Sequence, residues 1–428
     1  MKRRVVITGM GMVTPLGNSV NGTWNHLLAG RSGIGPISLF EADTFPTRIA
    51  GEVRGFDFAR WRIKDPALAE AGRSTFFALE AAEEAFRDSR LRRFNIQPER
   101  FGIYFGAGDS GHDFDAFVNT LASSVAANGS IDKRQYVQNS PGMMNPMREL
   151  EHQPFMTVTH LTRRFDIRGP VANCLTACAA SSQAIGESFE WIRGGYADIV
   201  MSGGSHSMLY PLAVAGFSLL TVLSIRNDAP EKASRPFDKN RDGFVMSEGA
   251  GVVILEELSH ALKRRAKIYG EVVGYGSTAD AYRLTDMDPE GRGGVEAIHQ
   301  ALEKGGISAD EVDYINAHGT STSVNDVIET VVIKKVFKDC APKIAISSIK
   351  SMLGHMIAAA GVVEAIVCLL CLRDSAVPPT INYEVPDPDC DLDYVPNCAR
   401  RMPVHTAISN SFGFGGQNIC LAMRKYEY

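Results

Sequence analysis

The chain has 428 residues, of which 45% are hydrophobic and 22% are charged, a composition typical of a globular protein with two or three domain-sized units. The formal net charge of −5 provides no basic excess to neutralise phosphates, which excludes general nucleic-acid binding. No apolar run reaches the roughly 18–20 residues that span a bilayer, and the eight scattered cysteines indicate reduced thiols. We therefore expect a cytoplasmic protein without membrane insertion.

Short β-branched runs alternate with longer amphipathic segments, which is the pattern of an α/β fold. In chain order we predict a strand at Val5–Thr8, a helix at Ser74–Asp88, a strand at Phe101–Phe105, a helix at Ala179–Arg193, strands at Ile199–Ser202 and Gly251–Leu255, a helix at Gly294–Lys304, a strand at Val312–Asn316, a helix at Asp326–Phe337, a strand at Ile344–Ser347 and a helix at His355–Leu372. After a basic segment at 259–267, the strand IYGEVVGYG faintly echoes the opening VVITGMG. Two similar halves are therefore expected, covering residues 1–264 and 265–428.

Two segments resemble ligand-binding loops but lack a required residue. The opening GMGMVTPLG supplies Gly9 and Gly11 of a dinucleotide fingerprint, but Thr14 stands where the third glycine belongs. The segment DKNRDGFVMSEG begins at Asp238 like a calcium loop, but its twelfth position is Gly249 instead of a bidentate acid. We interpret both segments as structural turns.

The segment NCLTACAASSQAIGESFEWI contains the strongest candidate nucleophile, Cys178. The small residues Thr176 and Ala177 form a turn before it, and a helix with small first-turn residues follows. A thiol at a helix N-terminus feels the unpaired amides and the macrodipole, which favour the thiolate. Taken alone, such a cysteine is more often structural.

Two histidines strengthen the catalytic interpretation, because each follows a predicted strand. His318 ends the strand in VDYINAHGTST, and His355 follows the turn SSIKSMLGH, which also contains Lys350. Working residues of α/β proteins commonly lie at the carboxyl ends of strands. We expect the Cys178 sulfur and both imidazoles to converge on one cavity.

A glycine-rich segment, NSFGFGGQN, lies near the end of the chain and contains Phe412 and Phe414. Glycines between aromatic residues suit a loop whose backbone must approach a substrate closely. Its amides are candidate oxyanion-hole donors, and its rings are candidate gates of a pocket. A tight structural turn is the alternative interpretation.

Together, the ordered motifs resemble the β-ketoacyl-acyl carrier protein synthases, most closely the elongating synthase II type. The match runs from VVITGMGMVTPLG through TAC, RPFDKNRDGFVMSEGAG, NAHGTST, SSIKSMLGHMIAAAGVVEAI and VPPTINYEVPDPDCDLDYVPN to NSFGFGGQN. The resemblance implies a thiolase-like fold of two pseudo-symmetric halves in αβαβα layers, and a homodimer. It implies an acyl carrier protein as partner and no resident cofactor or metal, because 4′-phosphopantetheine arrives on the carrier.

The resemblance also assigns the catalytic roles. Cys178 resembles the acyl-carrying nucleophile, and His318 and His355 resemble the paired histidines that stabilise the enolate formed when malonyl decarboxylates. Lys350 and Glu364 resemble the lysine and the acid of the surrounding polar network. The implied reaction is a decarboxylative condensation that lengthens an acyl chain by two carbons.

Further residues are implied to contact the substrate. Thr320 and Thr322 resemble the pantetheine contacts, and Phe414 belongs to the same substrate-binding set. Phe412 resembles the gating aromatic residue whose amide joins that of Cys178 in the oxyanion hole.

Three features depart from the family pattern. Asp109, followed by His112, stands where an apolar residue usually faces the acyl pocket, and a carboxylate beside an alkyl tunnel is costly unless paired. It either caps a helix in a shifted loop, lines a polar or shortened pocket, or binds a metal ion together with the neighbouring His112, Asp113 and Asp115. The stretch Ala67–Gly72 replaces a cluster of basic residues that commonly meets the carrier, and Cys174 lies unusually near the nucleophile, where we expect it to serve packing.

Two pathways and one other role stay open at this point. The chain is either a synthase of primary fatty acid synthesis or a specialised polyketide or polyene paralogue with its own carrier protein. The alternative is a catalytically weak partner subunit that determines chain length, although such subunits lose the nucleophile that Cys178 supplies here. A degradative thiolase would need a second cysteine in the C-terminal glycine-rich motif, and NSFGFGGQN holds none.

Overall fold

The computed structural model describes residues 3–91, 96–108 and 113–427. Its strands, β1 to β14 in chain order, are Val5–Val13, Ile34–Pro36, Ile49–Gly51, Phe101–Ala107, Val171–Cys174, Ile199–His206, Gly249–Glu257, Gly270–Ala279, Tyr314–Asn316, Ala345–Ser347, Ala376–Val377, Arg400–Arg401, Thr406–Gly413 and Gln417–Arg424. Its α-helices, α1 to α14, are Val20–Leu28, Phe58–Lys64, Arg73–Ser89, Phe114–Ala122, Lys133–Met143, Pro146–Glu151, Phe155–Phe165, Ala180–Arg193, Pro211–Leu219, Leu258–Lys263, Arg292–Gly305, Asn325–Phe337, Lys350–Leu353 and Ala360–Asp374. The predicted α/β class is confirmed, and each predicted strand and helix has a counterpart. None of the helices within these ranges is long and apolar enough to cross a membrane.

Ten strands form one sheet in the order β10-β9-β13-β14-β8-β1-β7-β6-β4-β5. Each half of the chain contributes five neighbouring strands, and the two sets meet where β1 pairs antiparallel with β8. Strand β9 pairs in parallel with both β10 and β13. The carboxyl ends of these three strands therefore lie at the same edge of the sheet, which brings the segments that follow them together.

The helices divide the two sets of strands into layers. Helices α8 and α14 contact each other and lie in the middle, α8 against β4 and β6 and α14 against β7 and β13. Helix α3 covers the outer face of β1 and β7, and α11 covers β8 and β14. Because apolar sheet faces must be covered on both sides, this arrangement produces the predicted αβαβα layers.

The two halves repeat the same close contact between a strand and its outer helix. A Cβ on Gly11 of β1 would lie 1.9 Å from the carbonyl oxygen of Ala81 in α3. A Cβ on Gly276 of β8 would lie equally close, 1.9 Å, to the carbonyl oxygen of Ala297 in α11. Only glycine permits such an approach, so the faint echo between the two glycine-containing strands has a structural basis.

A second repeated feature lies before each central helix. A 3₁₀ turn, Ala177–Ala179, leads into α8, and a second one, Ile357–Ala359, leads into α14. The first residue of each turn has a positive φ, 47° at Ala177 and 44° at Ile357. A β-branched residue in this region is strained, and such strain is often found at functional sites.

The helix predicted to begin at His355 in fact begins at Ala360. The backbone N–H of His355 donates to the carbonyl of Val245 at 2.7 Å, and the residue forms a bridge with Met246. This pairing holds His355 in extended backbone, which the apolar periodicity of the segment did not reveal. Within α14, Cys368 and Cys371 are fully buried and form no disulfide, as expected for cysteines that serve as small hydrophobic residues.

Candidate active site

Three side chains that are far apart in the sequence meet at one buried point. The Cys178 sulfur and one ring nitrogen each of His318 and His355 all lie within 4.8 Å of one another. Cys178 lies in the turn before α8, His318 follows β9, and His355 follows α13. All three line a cavity of about 300 Å³ that opens to the surface.

The ring of His355 is fixed with a definite tautomer. The backbone N–H of Ile357 donates to its Nδ1 at 3.2 Å, and its Nε2 lies 3.0 Å from the Cys178 sulfur. Because Nδ1 is an acceptor, a neutral ring carries its proton on Nε2. The strained Ile357 turn therefore orients an N–H donor at the reactive sulfur. The ring of Phe244 packs edge-on against His355 at 5.3 Å.

The ring of His318 is held by Lys350. The Lys350 ammonium donates to the carbonyl oxygen of His318 at 2.6 Å, lies 3.4 Å from His318 Nδ1, and pairs with a carboxylate oxygen of Glu364. Its three N–H groups thus match three acceptors. Since Nδ1 accepts, the proton of a neutral His318 ring also resides on Nε2.

Burial and positive charge keep both rings neutral. Burial lowers the pKa of His318 well below its ordinary value, and the nearby Lys350 ammonium and His355 lower it further. Burial likewise lowers the pKa of His355, again with Lys350 contributing. Burial raises the pKa of Glu364, and the Lys350 ammonium opposes that rise. The site is therefore built from two neutral N–H donors beside one buried ion pair.

The expected thiolate at Cys178 is not found. Burial raises the pKa of the Cys178 thiol to about 11, although Lys350 and two backbone amides oppose the rise. The amides at the helix N-terminus, from which the thiolate was predicted, are outweighed by the loss of hydration around the buried sulfur. The resting nucleophile is a thiol.

The glycine-rich segment reaches the sulfur through a different residue from the one predicted. The backbone amides of Phe414 and Cys178 both hydrogen-bond to the sulfur of Cys178 and lower the pKa of its thiol. Phe412 instead lies within β13, opposite Asn418 of β14. The oxyanion-hole amide predicted for Phe412 is therefore better placed at Phe414. The ring of Phe412 packs edge-on against His318, with centroids 5.9 Å apart.

Close packing explains why a glycine lies between the two phenylalanines. A Cβ on Gly413 would lie 3.2 Å from the carbonyl oxygen of Thr176 and 3.4 Å from the amide nitrogen of Cys178. These contacts are tighter than most side chains allow. The loop therefore approaches the nucleophile backbone to backbone.

The predicted pantetheine contacts lie beside the same cavity. The hydroxyls of Thr320 and Thr322 are 3.0 Å apart, and both residues line the cavity together with Phe414. Asp109 and His112, however, lie outside the described residues. In the same acidic segment, Asp113 caps α4 by accepting from Ala116 and pairs with Arg148 at 2.7 Å.

The spare thiol of Cys174 is packed away from the trio. Its S–H donates to the carbonyl oxygen of Ala180 at 3.2 Å, and it clusters with Ala184 and Ala358. Burial raises its pKa to about 12. These contacts agree with the packing role expected for it.

One acid that the sequence analysis did not identify supports the site. Glu329, on α12, accepts the backbone N–H of His318 at 2.8 Å and that of Gly319 at 2.7 Å. Burial raises its pKa to about 7. The sequence signal that could have indicated this role was an acid at position 329, three residues beyond Asp326, on the helix predicted directly after NAHGTST.

The trio also has the composition of a metal site. A thiolate sulfur and two imidazole nitrogens within 4.8 Å of one another suit a thiophilic divalent cation such as Zn²⁺. The Nδ1 atom of each ring accepts a hydrogen bond, so Nε2 carries the only ring proton and has no lone pair free to coordinate a cation. We therefore interpret the trio as a nucleophile with two N–H donors, and not as a metal site.

Comparison with known protein families matches both halves of the chain. The model described as "Beta-ketoacyl synthase, N-terminal domain" matches residues 2–261, and "Beta-ketoacyl synthase, C-terminal domain" matches residues 269–384. The chain is 44% identical over 426 residues to 3-oxoacyl-(acyl-carrier-protein) synthase 2 of Synechocystis sp., covering 100% of this chain and 99% of that protein. It is 43% identical to the protein of the same name from Coxiella burnetii, with 99% of both covered.

Solved structures show the same architecture. A ketosynthase in complex with a type II polyketide acyl-carrier protein superposes with a TM-score of 0.88 at 36% identity, with 100% of both chains covered. The ishigamide ketosynthase/chain length factor gives a TM-score of 0.87 at 34% identity, again with full coverage. A β-ketoacyl synthase from Burkholderia phymatum gives 0.86 at 33%, covering 99% of this chain and 100% of that one.

Proposed function

Because the chain belongs to the β-ketoacyl synthase family, we propose that it is an elongating 3-oxoacyl-(acyl-carrier-protein) synthase, an acyltransferase. It condenses malonyl-carrier with an acyl group held on Cys178. The observation that carries the proposal is the Cys178 sulfur 3.0 Å from a histidine nitrogen that the backbone fixes as an N–H donor. A second histidine, His318, lies at the same point with the same tautomer.

The first step transfers the acyl group to the enzyme. The Cys178 sulfur attacks the acyl thioester, a C–S bond to Cys178 forms, the bond to pantetheine breaks, and the thiol proton ends on the pantetheine sulfur. His355 Nε2–H stabilises negative charge on the attacking sulfur. The amides of Cys178 and Phe414 stabilise the developing oxyanion.

The second step removes carbon dioxide from malonyl-carrier. The bond between the carboxylate carbon and C2 breaks, and its electrons form an enolate on the thioester oxygen. Two neutral Nε2–H groups, from His318 and His355, donate to that oxygen. Neutral donors suit the task because they need not give up a proton to stabilise the charge.

The third step forms the carbon–carbon bond. C2 of the enolate attacks the carbonyl carbon on Cys178, the C–S bond breaks with its electrons on the sulfur, and the resulting thiolate takes a proton from solvent. The product is a 3-oxoacyl-carrier two carbons longer than the acyl group that entered. Thr320 and Thr322 hold the pantetheine arm through their hydroxyls.

An acyl carrier protein delivers both substrates. A ketosynthase similar to this chain has been solved in complex with its type II polyketide acyl-carrier protein, which supports a partner of this kind. The chemistry needs no resident cofactor or metal, since the pantetheine arrives on the carrier. A homodimer and a cytoplasmic location stay predictions from the family resemblance and the reduced cysteines. The complete trio of Cys178, His318 and His355 favours turnover over the role of a chain-length-determining partner.

Intact-mass measurement tests the proposal directly. Incubation with acyl-carrier should add one acyl mass to the protein and to the Cys174→Ser variant, but not to Cys178→Ala. Adding malonyl-carrier should then remove the label and release an elongated 3-oxoacyl-carrier. The proposal would be refuted by a protein that accepts no acyl group, or by one that accepts the acyl group but releases no elongated product.

A further inference from the structure

Two buried hydroxyl groups connect the helix that follows the nucleophile to the strand that precedes the glycine-rich loop. The Oγ atoms of Ser182 on α8 and Ser411 on β13 are 2.7 Å apart, and both residues are fully buried. We propose that Ser182 is a positioning residue of the oxyanion hole, which through Ser411 sets where the Phe414 amide lies relative to Cys178. The inference rests on the proposed function and adds a residue to its machinery.

The two hydroxyls lie close in sequence to the two amides of the oxyanion hole. Ser182 lies four residues after Cys178, about one helical turn further along the chain. Ser411 lies three residues before Phe414, in a strand that ends at Gly413. Since the amides of Cys178 and Phe414 belong to separate segments, a bond between those segments beside the amides fixes the separation of the two donors.

A glycine on a third element leaves space for the Ser182 hydroxyl. A Cβ on Gly361 of α14 would lie 1.9 Å from the Ser182 Oγ atom. Glycine is a poor helix residue compared with alanine, and at this position it leaves the room that the hydroxyl occupies. Helices α8 and α14 and strand β13 therefore meet at one oxygen atom.

Two other serines of α8 show what a hydroxyl with a structural role does on this helix. The Oγ of Ser181 accepts the backbone N–H of Val362 at 2.9 Å, which satisfies an amide in the first turn of α14. The Oγ of Ser188 donates to the carbonyl oxygen of Ala184 at 2.7 Å, the local bond that helical serines commonly make. Each of these hydroxyls satisfies a backbone group.

The hydroxyl pair of Ser182 and Ser411 satisfies no backbone group. Among the described residues, each of the two hydroxyls has the other as its hydrogen-bond partner. Apolar side chains of similar shape would replace the pair at little cost to folding, because removing both partners leaves no buried polar group unpaired. The pair therefore contributes the relative position of two segments more than it contributes stability.

The test measures acyl transfer and malonyl decarboxylation separately, because the amides of the oxyanion hole serve acyl transfer. For Ser182→Ala, we expect the burst-phase rate of Cys178 acylation at saturating acyl-carrier to fall about tenfold. The half-saturating concentration of acyl-carrier should stay unchanged. Malonyl decarboxylation should change little, because it depends on the N–H groups of His318 and His355.

A double variant distinguishes positioning from stability. Ser182→Ala leaves the Ser411 hydroxyl buried and unpaired, which lowers the melting temperature, whereas Ser182→Ala/Ser411→Ala removes both hydroxyls and should recover much of it. We expect acyl transfer by the double variant to stay about tenfold below the rate of the unsubstituted protein. Recovery of acyl transfer together with the melting temperature would show that Ser182 acts through stability alone, and would overturn the proposal.

The matched control is Ser188→Ala, which removes a fully buried hydroxyl from the same helix. It should leave both reactions near the rates of the unsubstituted protein. Unchanged acyl transfer in Ser182→Ala would overturn the proposal, and so would equal losses in Ser182→Ala and Ser188→Ala, or equal losses of acyl transfer and decarboxylation. Failure of the unsubstituted protein to acquire an acyl group at Cys178 would instead refute the proposed function, and the Ser182 proposal with it.

Discussion

The ammonium of Lys350 lies 2.6 Å from the carbonyl oxygen of His318 and 3.4 Å from Nδ1 of the same residue. One cation therefore sets both the backbone position and the tautomer of a single imidazole. Its third contact, with Glu364, is a fully buried ion pair.

Replacing Lys350 with methionine should separate decarboxylation from acyl loading. Without the donor at Nδ1, the His318 ring no longer has its proton fixed on Nε2, so we expect malonyl decarboxylation to fall about 10²–10³-fold. Acyl transfer to Cys178 should fall much less, because His355 is held by backbone. Release of carbon dioxide from malonyl-carrier and intact mass after acyl loading measure the two steps.

The same substitution leaves Glu364 buried without its partner, which should cost about 3–5 kcal/mol of stability. The double variant Lys350→Met/Glu364→Gln should recover much of the melting temperature but none of the decarboxylation. Recovery of both would show that Lys350 acts only through stability.

Glu329 should make stability depend on pH. Its pKa is about 7 in the folded protein against 4.5 for an ordinary glutamic acid, so the folded state binds this proton more tightly. The favourable contribution of Glu329 to the free energy of unfolding is complete below about pH 4.5. It is lost as the pH rises to about 7, a total loss of about 3 kcal/mol. Between pH 5 and 8, urea unfolding should show a smaller loss in the free energy of unfolding for Glu329→Gln than for the unsubstituted protein.

Glu84 provides the comparison, because burial also raises its pKa to about 7, and it accepts the backbone amides of Met12 and Val20 away from the trio. Glu84→Gln should reduce the pH dependence of unfolding in the same range while leaving decarboxylation near the parent rate. Equal losses of activity in Glu84→Gln and Glu329→Gln would contradict the assignment of Glu329 to the His318 loop.

Alkylation of Cys178 should report a strongly raised pKa. Since burial raises the pKa to about 11, the rate with iodoacetamide should rise about tenfold per pH unit up to about pH 10 and level off only above about pH 11. Peptide mass analysis in the Cys174→Ser background assigns the label. Lys350→Met should move the profile to still higher pH, because Lys350 lowers this pKa. A plateau near pH 8 would show that the thiolate forms readily.

Gly413→Ala should slow acyl transfer about tenfold, because its new Cβ would press on the Thr176 carbonyl and the Cys178 amide. Gly142→Ala, on α5, is the control, since a Cβ at Gly142 meets nothing within 4 Å. Burst-phase acylation of Cys178 measures both variants. Normal acylation in Gly413→Ala would mean that the loop can withdraw without loss.

Much of the fold and the central trio could be predicted from sequence, because each carries a local signal. Alternating strand and helix patterns, separated by glycine-rich turns, identified the elements, and the sequence placed His318 and His355 each after a predicted strand. The choice between Phe412 and Phe414 had no such signal, because which amide faces Cys178 depends on where the ladder of β13 and β14 ends.

Features set by long-range contacts were missed for the same reason. The pKa of Cys178 depends on how completely distant segments exclude water from it. The extended backbone at His355 depends on its pairing with Val245 and Met246. Glu329 gains its role only when α12 folds back onto the strand end that carries His318.

The matching strained turns before α8 and α14 bear on how the chemistry is divided. The turn Ala177–Ala179 carries sulfur at its middle position, whereas Ile357–Ala359 carries the methyl group of Ala358. A duplicated framework thus has one reactive copy, and both imidazoles belong to the other copy. Neither half of the chain, residues 1–264 or 265–428, contains both the sulfur and the imidazoles. Fragment complementation should therefore restore turnover only when both halves are present.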